Sequence, residues 1–362
     1  MSEETAPTLG VHLVRTDEDS AEIEAVAARL GGRIGLDGVL GTLKWELRPA
    51  LLPRLLGRAV HRAWRFDSYD QRDPRWWPQG VSTAAESTAH ADEPVIAASW
   101  YAKDLGDGSH GSRISFVDTD RGRYRHVLLV QAVTDPVHGP TLQPLTIHAG
   151  GIAWSGDWLH VAATGRGLFS AHTDDIMRVE TSQLRPGSIG MSPDRVDSYG
   201  HRFVWPVRQA WKAHADDGHE KLRYSFLATA SDAAPPVLLA GEYGRGEQST
   251  RLATFPLDPD AGLPAHDAHG TSRPLSLDCG GVRGMQGVAL ARGRHHVSVS
   301  CGPWTPGTIL TGAPGALRPF RWAVPMGPED LSYRSRDDTL WTVTEHPRRR
   351  WLVQMEREWF DR

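Results

Sequence analysis

Four residues point most directly at chemistry: His148, Gln79, Gln286 and Glu329. Each stands at the head of an apolar, alternating segment. The segments read Gln79-Gly80-Val81-Ser82, Gly150-Gly151-Ile152-Ala153-Trp154, Gln286-Gly287-Val288-Ala289-Leu290 and Glu329-Asp330-Leu331-Ser332-Tyr333. An imidazole near a carboxyl moves protons close to neutral pH. A carboxamide holds a substrate oxygen or a metal-bound water. The candidate catalytic residues are therefore His148, Glu329, His201, Glu345 and His346, and the candidate substrate-binding residues are Gln79, Gln286, Trp76, Trp77 and Glu242. His201 is chosen from Tyr199-Gly200-His201-Arg202-Phe203-Val204-Trp205, and Trp76 and Trp77 as rings that stack on a flat or sugar-like ligand. Glu242 and the Glu345-His346 pair follow second strands, so they are expected at the opposite side of the molecule or at a blade edge.

Each of these residues also has a structural reading. Polar groups at inner-strand starts often bond the exposed amides of a neighbouring sheet. That reading comes first for Asp330 and stands level with the functional one for Glu329. Packing comes first for Trp76 and Trp77. Arg348-Arg349-Arg350 reads as a solvated charge run.

The elements that would position these residues repeat along the chain. A leading residue, an inner strand, a turn and a returning strand recur, as in a β-propeller, whose inner strands gather round one axis. The spacing predicts blades starting at Gln79, at Ile147 to Gly150, at Leu222, at Gln286 and at Glu329, which makes five. A sixth is the alternative if Glu180–Gly218 hides one. The first 63 residues are expected to form a small helical or irregular cap, with the propeller over 64–362. Helices are predicted at Ser20–Leu30, capped by Ser20 and stopped by Gly31-Gly32, and at Ala50–Arg62 from the spacing of its leucines. The outermost strand of the last blade is expected from the N-terminal part.

The stretches His148-Ala149-Gly150-Gly151-Ile152-Ala153-Trp154, Gly284-Met285-Gln286-Gly287-Val288 and Gly327-Pro328-Glu329-Asp330-Leu331-Ser332-Tyr333, with Leu340-Trp341-Thr342-Val343-Thr344-Glu345-His346-Pro347, resemble a group of bacterial propeller-type proteins. Many of that group are exported, and none has an assigned activity. The resemblance spans roughly residues 64–356 and implies fold, not function. Met1-Ser2-Glu3-Glu4-Thr5 departs from it in lacking a basic segment followed by an apolar one, so a cytoplasmic location is expected, for instance in secondary-metabolite biosynthesis.

Composition narrows the classes. The 362 residues are 40% apolar, enough for a large core, and 37 glycines with 25 prolines supply the turns of an all-β chain. A net charge of −4 argues against nucleic acid as a partner. No apolar run reaches the roughly 20 residues that span a bilayer. Cys279 and Cys301 show no zinc spacing and read as thiols, with a cross-strand disulfide as the alternative. No nucleotide loop, Gly-x-Ser-x-Gly elbow or His-Glu-x-x-His motif occurs. The expected function is a cyclase, isomerase or lyase acting by acid/base catalysis on a largely apolar small molecule. No cofactor is expected, and a divalent metal is the one addition the residue set admits. A lectin-like binding propeller and a glycosidase, the latter needing two carboxyls about 5–9 Å apart, are the alternatives. Oligomeric state is left open.

Overall fold

The computed structural model describes residues 9–87, 89–180, 186–230 and 232–362. The fold is all-β and propeller-like, with few helices. Five sheets have four or more strands, and Ile189–Ser192 with Arg195–Ser198 forms a separate two-stranded ribbon. The innermost strands, in chain order, are Trp76–Thr83, Ile152–Ser155, Phe226–Ala230, Met285–Ala291 and Pro328–Arg334. Each pairs antiparallel with the strand that follows it.

These strands approach one another closely round the axis, and glycine makes that approach sterically feasible. A Cβ on Gly151 would lie 2.2 Å from the Leu227 nitrogen, and one on Gly287 would lie 2.4 Å from the Asp330 Cα. Side chains then stitch strand to strand. Asp330 Oδ2 accepts from Ile152 N at 3.1 Å and from Val81 N at 3.3 Å, joining the fifth, first and second sheets. Ser332 Oγ accepts from Thr83 N, Ser82 Oγ accepts from Trp154 N, and Thr229 Oγ1 donates to Trp154 O. Apolar layers fill the wedges between sheets, among them Trp64 stacked on Trp341 and Phe116 against Trp154 and Trp205.

The sheets are less uniform than the repeat implied. Only the third and fourth are simple four-stranded sheets. The segment read as a hidden sixth blade is shared out instead. Beyond the ribbon, Phe203–Pro206 runs parallel to the strand Arg123–Asp135 in the first sheet, and Gln209–Ala215 joins the second. Residues 181–185 of that segment lie outside the described part.

The N-terminal cap is not a separate helical unit. Val11–Arg15 pairs with Gln209–Ala215, Trp45–Glu46 pairs with Arg123–Asp135, and Val60–Arg65 pairs with Trp351–Glu356 in the fifth sheet. The last pairing supplies the outer strand expected from the N-terminal part. The helix Ser20–Leu30 forms and buries Ile23, Val26 and Ala27. It ends at Gly31 with φ of 83°, a left-handed conformation open to glycine. Asp19, not Ser20, is its N-cap, and no side chain caps it.

The predicted helix Ala50–Arg62 does not form. It is reduced to one 3-10 turn at Pro53–Leu55 followed by a strand. Two features explain this. A Cβ at Gly57 would sit 2.5 Å from the Ala323 carbonyl oxygen, so the chain there is pressed against another backbone. The residues after it gain five backbone partners in the fifth sheet. Three of the four leucines whose spacing signalled a helix, Leu51, Leu52 and Leu55, are exposed, Leu51 to 95%, and Leu56 alone packs against the core.

Candidate functional site

The leading residues of the inner strands converge. A cavity of about 590 Å³ opens at one mouth of the axis, and Gln79, His148, Gln286, Glu329 and Glu345 all line it. Glu345 follows the strand Thr339–Thr344 and so was expected on the far side or at a blade edge. Antiparallel pairing puts it at the same mouth: Thr344 lies opposite Pro328 at the start of the inner strand, Glu345 N donates to Gly327 O at 3.1 Å, and Glu329 and Glu345 both line the cavity.

Glu329 is 2% exposed and receives the Gln286 side-chain amide at 3.2 Å. Burial, and then the charges of Glu345 and Asp330, push its carboxyl well above the usual range. It therefore holds a proton where an ordinary glutamate is ionised. Glu345 is partly open to the cavity, its Oε2 lies 3.5 Å from the Gln79 amide, and burial raises its carboxyl too. Lys103, Gln79 and Arg350 restrain that rise. The His148 ring is exposed to the cavity and packs on Tyr101 at 4.3 Å. The protein around it, with Lys103, holds its pKa below the ordinary histidine value, so the ring is neutral. Asp330 is fully buried and engaged with backbone amides, which fits the latch reading.

The sequence did not single out Tyr101, Arg223 or Lys103. Tyr101 is pushed up to about 12 by burial and by Glu345 and Glu329. It follows Trp100, which lies opposite Pro78 as Thr344 lies opposite Pro328, so it holds the place in the first sheet that Glu345 holds in the fifth, and that repeated position is the signal that would have found it. Arg223 lines the cavity, and one of its terminal nitrogens is buried without a hydrogen-bond partner among the described residues. Lys103 lies over Trp77, 3.0 Å from the ring centre.

The other candidates lie elsewhere. His346 adjoins Glu345 at 3.5 Å and meets Trp77 edge-on, but neither His346 nor Trp77 lines the cavity. Trp77 is used up by Lys103 and by its Nε1–H bond to Pro74 O. Glu242 is a structural anchor, not a binding group: it is fully buried, grips Arg251 through both oxygens at 2.8 and 3.0 Å, and accepts from Arg223 N and Arg251 N. Burial pushes its carboxyl up, and those bonds outweigh it. His201 and Trp76 face each other in a separate cavity beside the first sheet. Burial and then Arg113 pull His201 down to about 3, so it carries no proton at neutral pH. Arg350 is fully buried, contrary to the surface reading of its run, and donates to the carbonyls of Glu345 and Asp70.

Cys279 and Cys301 are free thiols. Among the described residues no three His, Cys, Asp or Glu side chains group to hold a metal ion, and no helix is long and apolar enough to cross a membrane.

No family model matches the chain, and no curated protein matches it. Among solved structures it is similar to a gluconolactonase from Xanthomonas campestris at 15% identity and a TM-score of 0.34, covering 86% of this chain and 84% of that one. It is similar to a glutaminyl cyclase from Myxococcus xanthus at 10% identity and 0.37, covering 86% and 97%. It is also similar to a GH43_1 enzyme from Xanthomonas citri at 14% and 0.40, covering 84% and 92%. Likenesses this distant carry no argument about chemistry.

Proposed function

We propose that the five larger sheets act as the five blades of one propeller, and that the axial cavity is the active site of an acid/base enzyme of the cyclase, isomerase or lyase type. The observation that carries this reading is the carboxyl pair: protonated Glu329 and the more solvated Glu345 in one cavity. Glu329 serves as the proton donor and Glu345 as the acceptor. Gln79 and Gln286 hold the two carboxyls in place, and neutral His148 accepts a hydrogen bond from the substrate. Proton transfer by such a pair contributes typically about 10²–10⁴-fold. The step draws only on these side chains.

The substrate suited to this cavity is polar. This replaces the expectation of a largely apolar one, because Gln79, His148, Gln286, Glu329, Glu345 and Arg223 line the cavity and neither Trp76 nor Trp77 does. Arg223 offers its free N–H to a substrate carboxylate or carbonyl oxygen. The same carboxyl pair favours a second reading, a sugar hydrolase with one carboxyl as acid and the other as base or nucleophile.

A panel of hydroxy acids, lactones, amino-acid amides and aryl glycosides, followed by mass spectrometry with wild type, Glu329→Gln and Glu345→Gln, tests both. Turnover without mass change, or with loss of water or another small leaving group, and at least about 100-fold slower in each variant, supports the proposal. Gain of water on a glycoside moves the assignment to the hydrolase. Turnover at the wild-type rate in both variants removes the carboxyl pair from the mechanism, and binding without turnover of any compound makes the cavity a receptor site.

A further inference from the structure

A second cavity, of about 430 Å³, lies beside the first sheet, away from the axial cavity. The turn Tyr199-Gly200-His201-Arg202 forms part of its wall, with positive φ at both Tyr199 and Gly200 (50° and 77°). Lys44, Arg113, Arg125 and Arg202 all line it, and among the described residues the one acid lining it is Asp70. Asp70 is already committed: Arg113 Nη2 donates to its Oδ1 at 2.7 Å, while Tyr124 and His126 occupy Oδ2. Three cations thus remain uncompensated within the lining. Arg125 Nε donates to the Thr42 carbonyl and its guanidinium lies over the Phe203 ring at 5.2 Å, with no carboxylate partner among the described residues, and Arg202 Nε is buried with no hydrogen-bond partner among them. Burial, and then the charge of Arg202, pull the Arg125 guanidinium below its ordinary value, as two cations facing one space require.

The remaining wall is aromatic. Trp45 and Tyr199 are half-buried, each with one ring face already covered, by Lys44 at 4.6 Å and by the stacked His110 at 3.9 Å, and Tyr69 is 68% exposed, so a ligand ring has the open Tyr69 and the second faces of the other two. Guanidinium pairs match the geometry of carboxylates, and flat rings offer stacking faces to a planar partner. We infer that this cavity binds a small planar organic anion, an aromatic carboxylate, with its charged group between Arg125 and Arg202 and its ring against Trp45, Tyr69 and Tyr199.

Calorimetric titration of the full chain with indole-3-carboxylate, benzoate, acetate and inorganic phosphate tests this. The aromatic acids are expected to bind at least tenfold more tightly than acetate or phosphate, and Arg202→Gln and Arg125→Gln should each weaken them at least tenfold. Should those variants not fold, exposed Tyr69→Ala should weaken the aromatic acids severalfold. No binding by any probe, or equal affinity for phosphate and the aromatic acids, overturns the proposal. So does loss of binding in Arg223→Gln with Arg202→Gln unaffected, which would put the anion in the axial cavity.

Discussion

Glu329 and Asp330 are neighbours, both buried and both shifted upward, yet they act on opposite sides of one strand. Glu329 faces the axial cavity. Asp330 faces backbone, and its oxygen satisfies two amides of other sheets that would otherwise be buried unpaired. Replacing Asp330 by Ala should cost about 1–3 kcal/mol for each amide left unpaired, whereas Asn keeps the acceptor and should stay close to wild type. Denaturant titration of the two variants checks this, and equal stability would refute the latch. For Glu329 the sign runs with pH. A carboxyl whose folded pKa is raised gives its full contribution below the unfolded value, about 4.3, and that contribution is lost as pH rises through the folded value. Glu329→Gln has no such loss. Its stability relative to wild type should therefore grow between pH 4 and pH 8, at about 1–2 °C in Tm per kcal/mol for a chain of this length. Parallel melting curves across that range would show that Glu329 is not held protonated.

At the scale of elements, inner strands were legible because three facts coincide in their sequence: a polar or glycine leading residue, apolar alternation and a following turn. The strands Met285–Ala291 and Pro328–Arg334 begin within a residue of the starts read from the sequence. The convergence of Gln79, His148, Gln286 and Glu329 could be anticipated for the same reason. Outer elements were not legible, since their partners are remote. Val60–Arg65 is a strand only because Trp351–Glu356 offers it an edge, and local leucine spacing outweighed that unseen pairing. Likewise nothing near Trp76 or Glu242 in sequence reveals Arg113 or Arg251 beside them. The close approach of inner strands makes its own prediction. Gly287→Ala forces a Cβ against the Asp330 backbone and should cost at least about 1–3 kcal/mol, because backbone cannot swing aside as a side chain does. A variant as stable as wild type in urea would mean that the fourth and fifth inner strands do not meet as described.

For the molecule as a whole, the closing contact is the pairing of an N-terminal strand with the C-terminal sheet. Val60–Arg65 covers the edge of Trp351–Glu356 and brings Trp64 onto Trp341. A second N-terminal strand, Val11–Arg15, covers Gln209–Ala215 and buries Val11 and Leu13. With Trp45–Glu46 on Arg123–Asp135, the N-terminal part therefore adds strands to three sheets at different points of the ring, and the chain ends are joined through it. Uncovered strand edges recruit other chains. Removal of residues 1–66 takes away all three pairings at once and strips Trp341 of its stacking partner. The truncated protein should melt well below the full chain and elute as oligomers or aggregates. Removal of residues 1–18 uncovers only the second-sheet edge and should lower Tm while leaving the axial cavity formed, because all five inner strands remain. Size-exclusion chromatography with thermal denaturation separates these cases. If the chain lacking residues 1–66 matches the full protein in Tm and elution volume, the ring closes without its N-terminal strands and the site does not depend on them.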